Sequence, residues 1–159
     1  MQKEPMTSDG YDRLTQELND LKLIHRPKII IAIEEARQLG DLKENAEYHA
    51  AKEDQANINK KIAEMEDMVT KAVVIDPSTL AHNKVSFGST VTIIDINADQ
   101  EITYTLGSFL DSNPDKGIIS FNSPLAKQLV GREEGDEFTA QLPGGAKEFE
   151  VESIIYKPF

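Results

Sequence analysis

From Asn45 to about Val74 the chain contains neither proline nor glycine, and Tyr48, Ala51, Gln55, Ile58, Ile62, Met65, Val69 and Ala72 recur at alternating spacings of 3 and 4. A stripe that narrow is a heptad seam, and it buries itself only against a second helix of the same rhythm. The preceding segment supplies one. Tyr11, Leu14, Leu18 and Leu21 keep the same spacing, lose phase near Pro27, and resume as Ile29, Ile33 and Ala36. Proline inside a helix removes one ladder bond and crowds the turn before it, so a bend is expected there.

Between the two arms lies Leu39-Gly40-Asp41-Leu42-Lys43-Glu44-Asn45. Gly40 suits the end of the first helix, and Asp41 or Asn45 can accept the free amides that begin the second. The arms therefore fold back on each other as an antiparallel two-helix coiled coil. At about 30 residues each and 1.5 Å per residue, they make a rod on the order of 45 Å long.

After Asp76-Pro77-Ser78-Thr79, which reads as a linker, the period changes from helical to alternating. Strands are predicted at Thr90 to Ile96, Glu101 to Gly107, Gly117 to Phe121, Glu137 to Leu142 and Glu148 to Tyr156, with a short helix from Ser123 to Leu129. Asn97 to Gln100, Asn113-Pro114-Asp115 and Pro143-Gly144-Gly145 carry turn chemistry. The expected class is α+β in two domains: a hairpin over 1–75 and an antiparallel sheet with a short helix over 76–159.

Charge and composition remove several functions. A net charge of −11 argues against strong independent binding of duplex DNA, which depends on many cations displacing counterions. Both halves are acidic: 11 basic against 15 acidic residues before residue 75, and 6 against 13 after it. With no cysteine and three histidines (His25, His49 and His82), disulfides, a thiolate nucleophile and a cysteine zinc site are excluded. No apolar run approaches the roughly 20 residues of a membrane span, and Met1 to Gly10 has no signal-peptide h-region, so the chain reads as cytoplasmic and without a membrane partner. A monomer is expected.

The residues with chemical potential cluster at the turn. Asp41 and Glu44, with Glu47 close behind, offer the oxygen ligands that Mg²⁺ prefers, and one or two protein carboxylates suffice when waters or phosphates complete the shell. The same acids can also simply cap a helix and complement its dipole. Arg37, Lys43 and Lys52 lie within about two turns of the tip and suit an RNA phosphate, or else form a solvated face among Glu34, Glu35, Glu53 and Asp54. Tyr48 belongs to the seam and can also stack on a base. His49 has no second histidine three or four residues away and reads as a surface residue. The second domain shows no nucleophile elbow, phosphate loop or paired histidines.

The tip sequence LGDLKENAEYHAAKE, residues 39 to 53, resembles the signature of the Gre family of bacterial transcript cleavage factors, of the GreA type. NSPLAKQLVGREEGDE (122 to 137) and LPGGAKEFEV (142 to 151) are similar to the family's C-terminal pattern, so the resemblance runs essentially from Met6 onward. It implies an FKBP-like fold for the second domain, and a partner, RNA polymerase. That domain docks on the rim of the polymerase secondary channel, and the coiled coil passes down the channel to the active centre. It further implies that Asp41 and Glu44 are catalytic: they help hold a weakly bound second Mg²⁺ and orient the attacking water, while polymerase aspartates hold the first ion. The substrate is the 3′ end of backtracked RNA, and the factor is an activator with no activity alone.

By the same resemblance Asn122, Ser123 and Pro124 contact polymerase, and Arg37 and Lys52 contact the RNA end. On the residues alone, Ser123 and Pro124 equally suit the N-cap and first position of the short helix. Relatives that inhibit polymerase carry a different set of tip acids, so Asp41, Glu44 and Asn45 together favour the stimulating type. Two other classes stay open on the residues. One is a prolyl isomerase or chaperone, disfavoured by the absence of tryptophan and the scattered phenylalanines. The other is an adaptor that binds a partner through its seam or tip without chemistry.

Overall fold

The computed structural model describes residues 2–159. They form two compact units: one is Tyr11–Lys71, and the other joins the N-terminal residues to Gly10 with Ala72–Phe159.

The first unit is the helical hairpin. Helix α1 (Ser8–Asp20) begins on Thr7, whose Oγ1 accepts the Gly10 amide at 3.1 Å. It passes through a π turn, Leu21–His25, into α2 (Arg26–Arg37), and α3 (Ala46–Lys71) returns. Every seam position read from the sequence, except Ala72 beyond the end of α3, is withdrawn from solvent within the hairpin: Leu14, Leu18, Leu21, Ala36, Ala51, Ile62 and Met65 are buried, and Tyr11, Ile29, Ile33, Tyr48, Gln55, Ile58 and Val69 half-buried. Lys22 to Glu66 (2.7 Å) and Lys61 to Glu17 (3.2 Å) pair charges across the two arms.

The π turn is where the first arm loses phase. A steady heptad continuing from Leu21 would place its next members one residue earlier than Ile29 and Ile33, so one residue is surplus. A single wide turn absorbs it: the Arg26 amide reaches back five residues to the Leu21 carbonyl. Pro27, with no amide to offer, stands immediately after, at the start of α2. Where the proline predicts a bend, the first arm thus carries a π turn directly before it.

The second arm stops at Lys71, short of Val74. Ala72–Val74 is strand β2, paired parallel with β1, Glu4–Met6, in the register Glu4 to Ala72 and Met6 to Val74. This pairing crosses the boundary expected after residue 75. Its reason is chemical: Val73, Val74 and Ile75 are a β-branched run that suits a strand better than a helix, and Met6 is fully buried.

The second unit is built on a five-stranded sheet in the order β5-β4-β3-β7-β6. Its strands are β3 (Ser89–Asp95), β4 (Gln100–Gly107), β5 (Ile118–Ser120), β6 (Glu137–Leu142) and β7 (Gly145–Tyr156), with helix α4 (Pro124–Leu129) between β5 and β6. All pairings are antiparallel except β4 with β5, which is parallel. That exception follows from the connection through Asn113 to Gly117, which brings β5 back alongside β4 in the same direction. Val91, Ile93, Leu106, Phe149 and Val151 form one face of the sheet and pack against Ala126 and Leu129 of α4. On β3 and β4, Thr90 meets Thr105 and Thr92 meets Thr103 by hydroxyl hydrogen bonds of 2.9 and 3.0 Å. The linker is ordered as well: Asp76 caps the 3₁₀ turn Pro77–Thr79, and His82 donates from Nε2 to the Pro77 carbonyl at 2.6 Å while its ring stacks on Tyr156.

Candidate functional site: the tip of the helical hairpin

The turn between α2 and α3 is assembled almost wholly from side-chain contacts to backbone. α2 ends as the amides of Leu39 and Gly40 fall back on the carbonyls of Ala36 and Arg37, and Gly40 then takes φ +124°. A Cβ at Gly40 would meet nothing within 4 Å, so the glycine answers a backbone requirement and not a crowded one. Asn45 is the cap of α3, its Oδ1 accepting the Tyr48 amide at 3.0 Å. Its Nδ2 donates to the Ala36 carbonyl at 2.6 Å, tying the end of one helix to the start of the next. Of the two capping candidates in the sequence, Asn45 therefore caps the helix, while Asp41 closes a local turn by accepting the Lys43 amide at 3.0 Å.

Asp41 and Glu44 are both exposed, and with Leu39, Asn45, Ala46 and Glu47 they line a shallow hollow of about 350 Å³. Neither is in an ion pair among the described residues. Asp41 uses one carboxylate oxygen on the turn, which leaves the other for a ligand. Among the described residues no group of three or more His, Cys, Asp or Glu side chains could hold a metal. As hard oxygen donors, the two carboxylates fit Mg²⁺ as part of a coordination shell.

The other expected residues are placed differently. Arg37 is exposed in the last turn of α2, where a cation also complements the helix C-terminus. Lys52 is exposed on α3 and donates to Gln55 Oε1 at 3.2 Å. Tyr48 is half-buried in the seam, its ring edge-on to His49 at 5.7 Å between centroids. Asn122, Ser123 and Pro124 lie in the other unit. Ser123 Oγ accepts the Ala126 amide at 3.4 Å with Pro124 at the first turn, the capping arrangement the sequence allowed. Asn122 Nδ2 donates to the Lys3 carbonyl at 3.0 Å. His49, read from sequence as a surface residue, is exposed but engaged: its Nε2 lies 3.2 Å from the Lys43 carbonyl inside the tip turn. No spacing rule could have found it, because its partner is main chain.

Comparison with known proteins agrees from end to end. Residues 4–74 match the family described as "Transcription elongation factor, N-terminal", and residues 80–156 match "Transcription elongation factor, GreA/GreB, C-term". The chain is 57% identical over 157 residues to the protein of Aliarcobacter butzleri named transcription elongation factor GreA, covering 99% of this chain and 98% of that one. It is 54% identical to the protein of the same name from Nautilia profundicola, covering 99% and 97%. A crystal structure of the GreA factor homolog 1 (Gfh1) protein of Thermus thermophilus is 26% identical, covers 97% of this chain and 99% of its own, and superposes with a TM-score of 0.47. No described helix is long and apolar enough to cross a membrane. With both of its parts matched and more than half of its residues shared with full-length relatives, this chain belongs to the GreA/GreB family of transcription elongation factors.

Proposed function

We propose that this chain acts on RNA polymerase through the secondary channel, presenting Asp41 and Glu44 to the active centre and stimulating cleavage of backtracked RNA. The observation that carries the reading is the tip itself. Two exposed carboxylates share one turn whose backbone is pinned to both helices, with an oxygen of Asp41 spare. Such a pair alone binds Mg²⁺ poorly, because that ion parts reluctantly with its water. The isolated protein is then inactive, and catalysis is shared across an interface.

In that setting Asp41 and Glu44 would hold Mg²⁺ jointly with carboxylates of polymerase, and the ion when bound would supply a more acidic water and charge stabilisation at the phosphate. The chain's own part is to aim two carboxylate oxygens and to orient the attacking water through them. Arg37 and Lys52, on the two helices behind the tip, suit phosphates of the RNA 3′ segment. Asn122, Ser123 and Pro124 suit docking on polymerase while also holding α4 and the N-terminal segment. The protein works where the transcription machinery is, in the cytoplasm.

The test is RNA cleavage in purified, backtracked elongation complexes with Mg²⁺. Wild type should release short 3′ fragments, and Asp41→Asn and Glu44→Gln should bind polymerase without releasing them. Fragment release by wild type and both variants at one rate would remove the tip from the chemistry. Binding without release by any of them would make the protein a channel-binding regulator.

A further inference from the structure

The Lys43 backbone is held at both of its polar groups. Its amide donates to Asp41 Oδ1 at 3.0 Å, and its carbonyl lies 3.2 Å from His49 Nε2. A carbonyl can only accept, so Nε2 carries the proton in this contact. The imidazole is buttressed by the ring of Tyr48, whose amide is in turn anchored on Asn45. His49 therefore reaches from the first turn of α3 back into the loop that bears both carboxylates.

The consequence follows from peptide geometry. The Lys43 carbonyl lies in the same rigid plane as the Glu44 amide, so a bond to that oxygen restrains the plane from which the Glu44 side chain departs. Asp41 is bound to the other end of the same residue. One residue's backbone thus links the two acids, Asp41 through its side chain and Glu44 through its peptide, and His49 closes the link.

We propose that His49 is a positioning residue that keeps Glu44 in register with Asp41, so that both carboxylates reach one cation together. This rests on the reading of the tip given above. Without the brace each acid remains exposed, but the Lys43–Glu44 peptide turns freely and the pair is no longer pre-organised. The loss falls on cation affinity and leaves the chemical step intact, as for other groups that orient metal ligands from behind.

Two substitutions test it in the full-length protein. His49→Leu removes the donor, and His49→Gln restores an N–H at a similar reach from the backbone. The first readout needs no metal and no polymerase: ¹⁵N relaxation of the Lys43 and Glu44 amides. Order parameters near the rigid value of about 0.85 should fall below about 0.6 in His49→Leu and recover in His49→Gln, with helical circular dichroism equal in all three proteins. The second is fragment release from backtracked complexes as Mg²⁺ is varied. His49→Leu should raise the half-saturating Mg²⁺ concentration about tenfold with little change in the rate at saturation, and His49→Gln should restore it. Unchanged order parameters, an unchanged Mg²⁺ requirement, or a lower saturated rate without a shift in that requirement would each overturn the proposal. Failure of the functional reading looks different: wild type itself releases nothing, and the positioning role falls with it.

Discussion

The side-chain amide of Asn45 donates to the main-chain carbonyl of Ala36 at 2.6 Å, nine residues back along the chain, while its Oδ1 receives the Tyr48 amide. One side chain both ends α2 and begins α3. Asn45→Ala should therefore cost about 1–2 kcal/mol, as expected for a lost cap with a second bond removed. Asn45→Asp keeps the acceptor for Tyr48 and loses the donor to Ala36, so its loss should be smaller. Urea unfolding followed by helical circular dichroism ranks the three proteins.

The π turn should prove to be demanded by the surplus residue and merely tolerated by Pro27. Deleting Leu23, which is 74% exposed, brings Ile29 and Ile33 into a steady heptad with Leu21. It also returns the proline to ordinary helix, where it costs about 3 kcal/mol. Deletion of Leu23 combined with Pro27→Ala should match wild-type stability, and Pro27→Ala alone should leave the turn in place. Deleting Lys60, also exposed but inside regular α3 where the seam has no surplus residue, throws Ile62, Met65 and Val69 out of phase with Tyr48 to Ile58 and should cost several kcal/mol. Denaturant midpoints decide it; equal losses for the two deletions would refute the account.

Gly88 and Gly40 both have positive φ, +85° and +124°, but only Gly88 is crowded: a Cβ there would overlap the buried ring of Pro77. Gly40→Ala should cost only the backbone strain, about 1–2 kcal/mol, and Gly88→Ala clearly more, because the 3₁₀ turn at Pro77 must also shift. Thermal melting of the two variants checks the order.

Glu152 stands at the β-bulge opposite Thr92 and Ile93. Its carboxyl is raised above the ordinary glutamate range by a hydrogen bond shared with Glu101, then by desolvation and the charges of Glu101 and Glu150. The folded state therefore holds that proton more tightly than the unfolded state. The contribution is present below the ordinary glutamate value and is lost as pH rises through the raised one. Glu152→Gln should melt higher than wild type at pH 7, and the difference should vanish below about pH 4. Asp76 behaves oppositely: Ser78 hydrogen bonds lower its carboxyl, so its contribution is present above the ordinary aspartate value and fades as pH falls through the lowered one.

What was legible in the sequence is what periodicity encodes. The seam from Tyr48 to Val69, the strands from Ser89 to Tyr156 and the Ser123 cap all follow from side chains repeating along an element. What escaped is what one side chain does to a distant backbone group. The reach of Asn45 to Ala36 and of His49 to Lys43 leaves no partner residue type to find. The β1–β2 pairing escaped for another reason, since three residues around Pro5 carry no alternation and the partner lies at the far end of the hairpin in sequence. The phase slip at Leu21 was visible, but proline and a π turn leave the same mark in a sequence.

The most direct test of donated carboxylates is competition. The Asp41→Ala/Glu44→Ala double variant is titrated against a fixed amount of wild type in backtracked elongation complexes with Mg²⁺, and fragment release is followed. The variant should occupy polymerase in place of wild type and suppress cleavage in proportion to its share. Cleavage sustained at the wild-type rate by the variant alone, or undiminished by a large excess of it, would contradict the account.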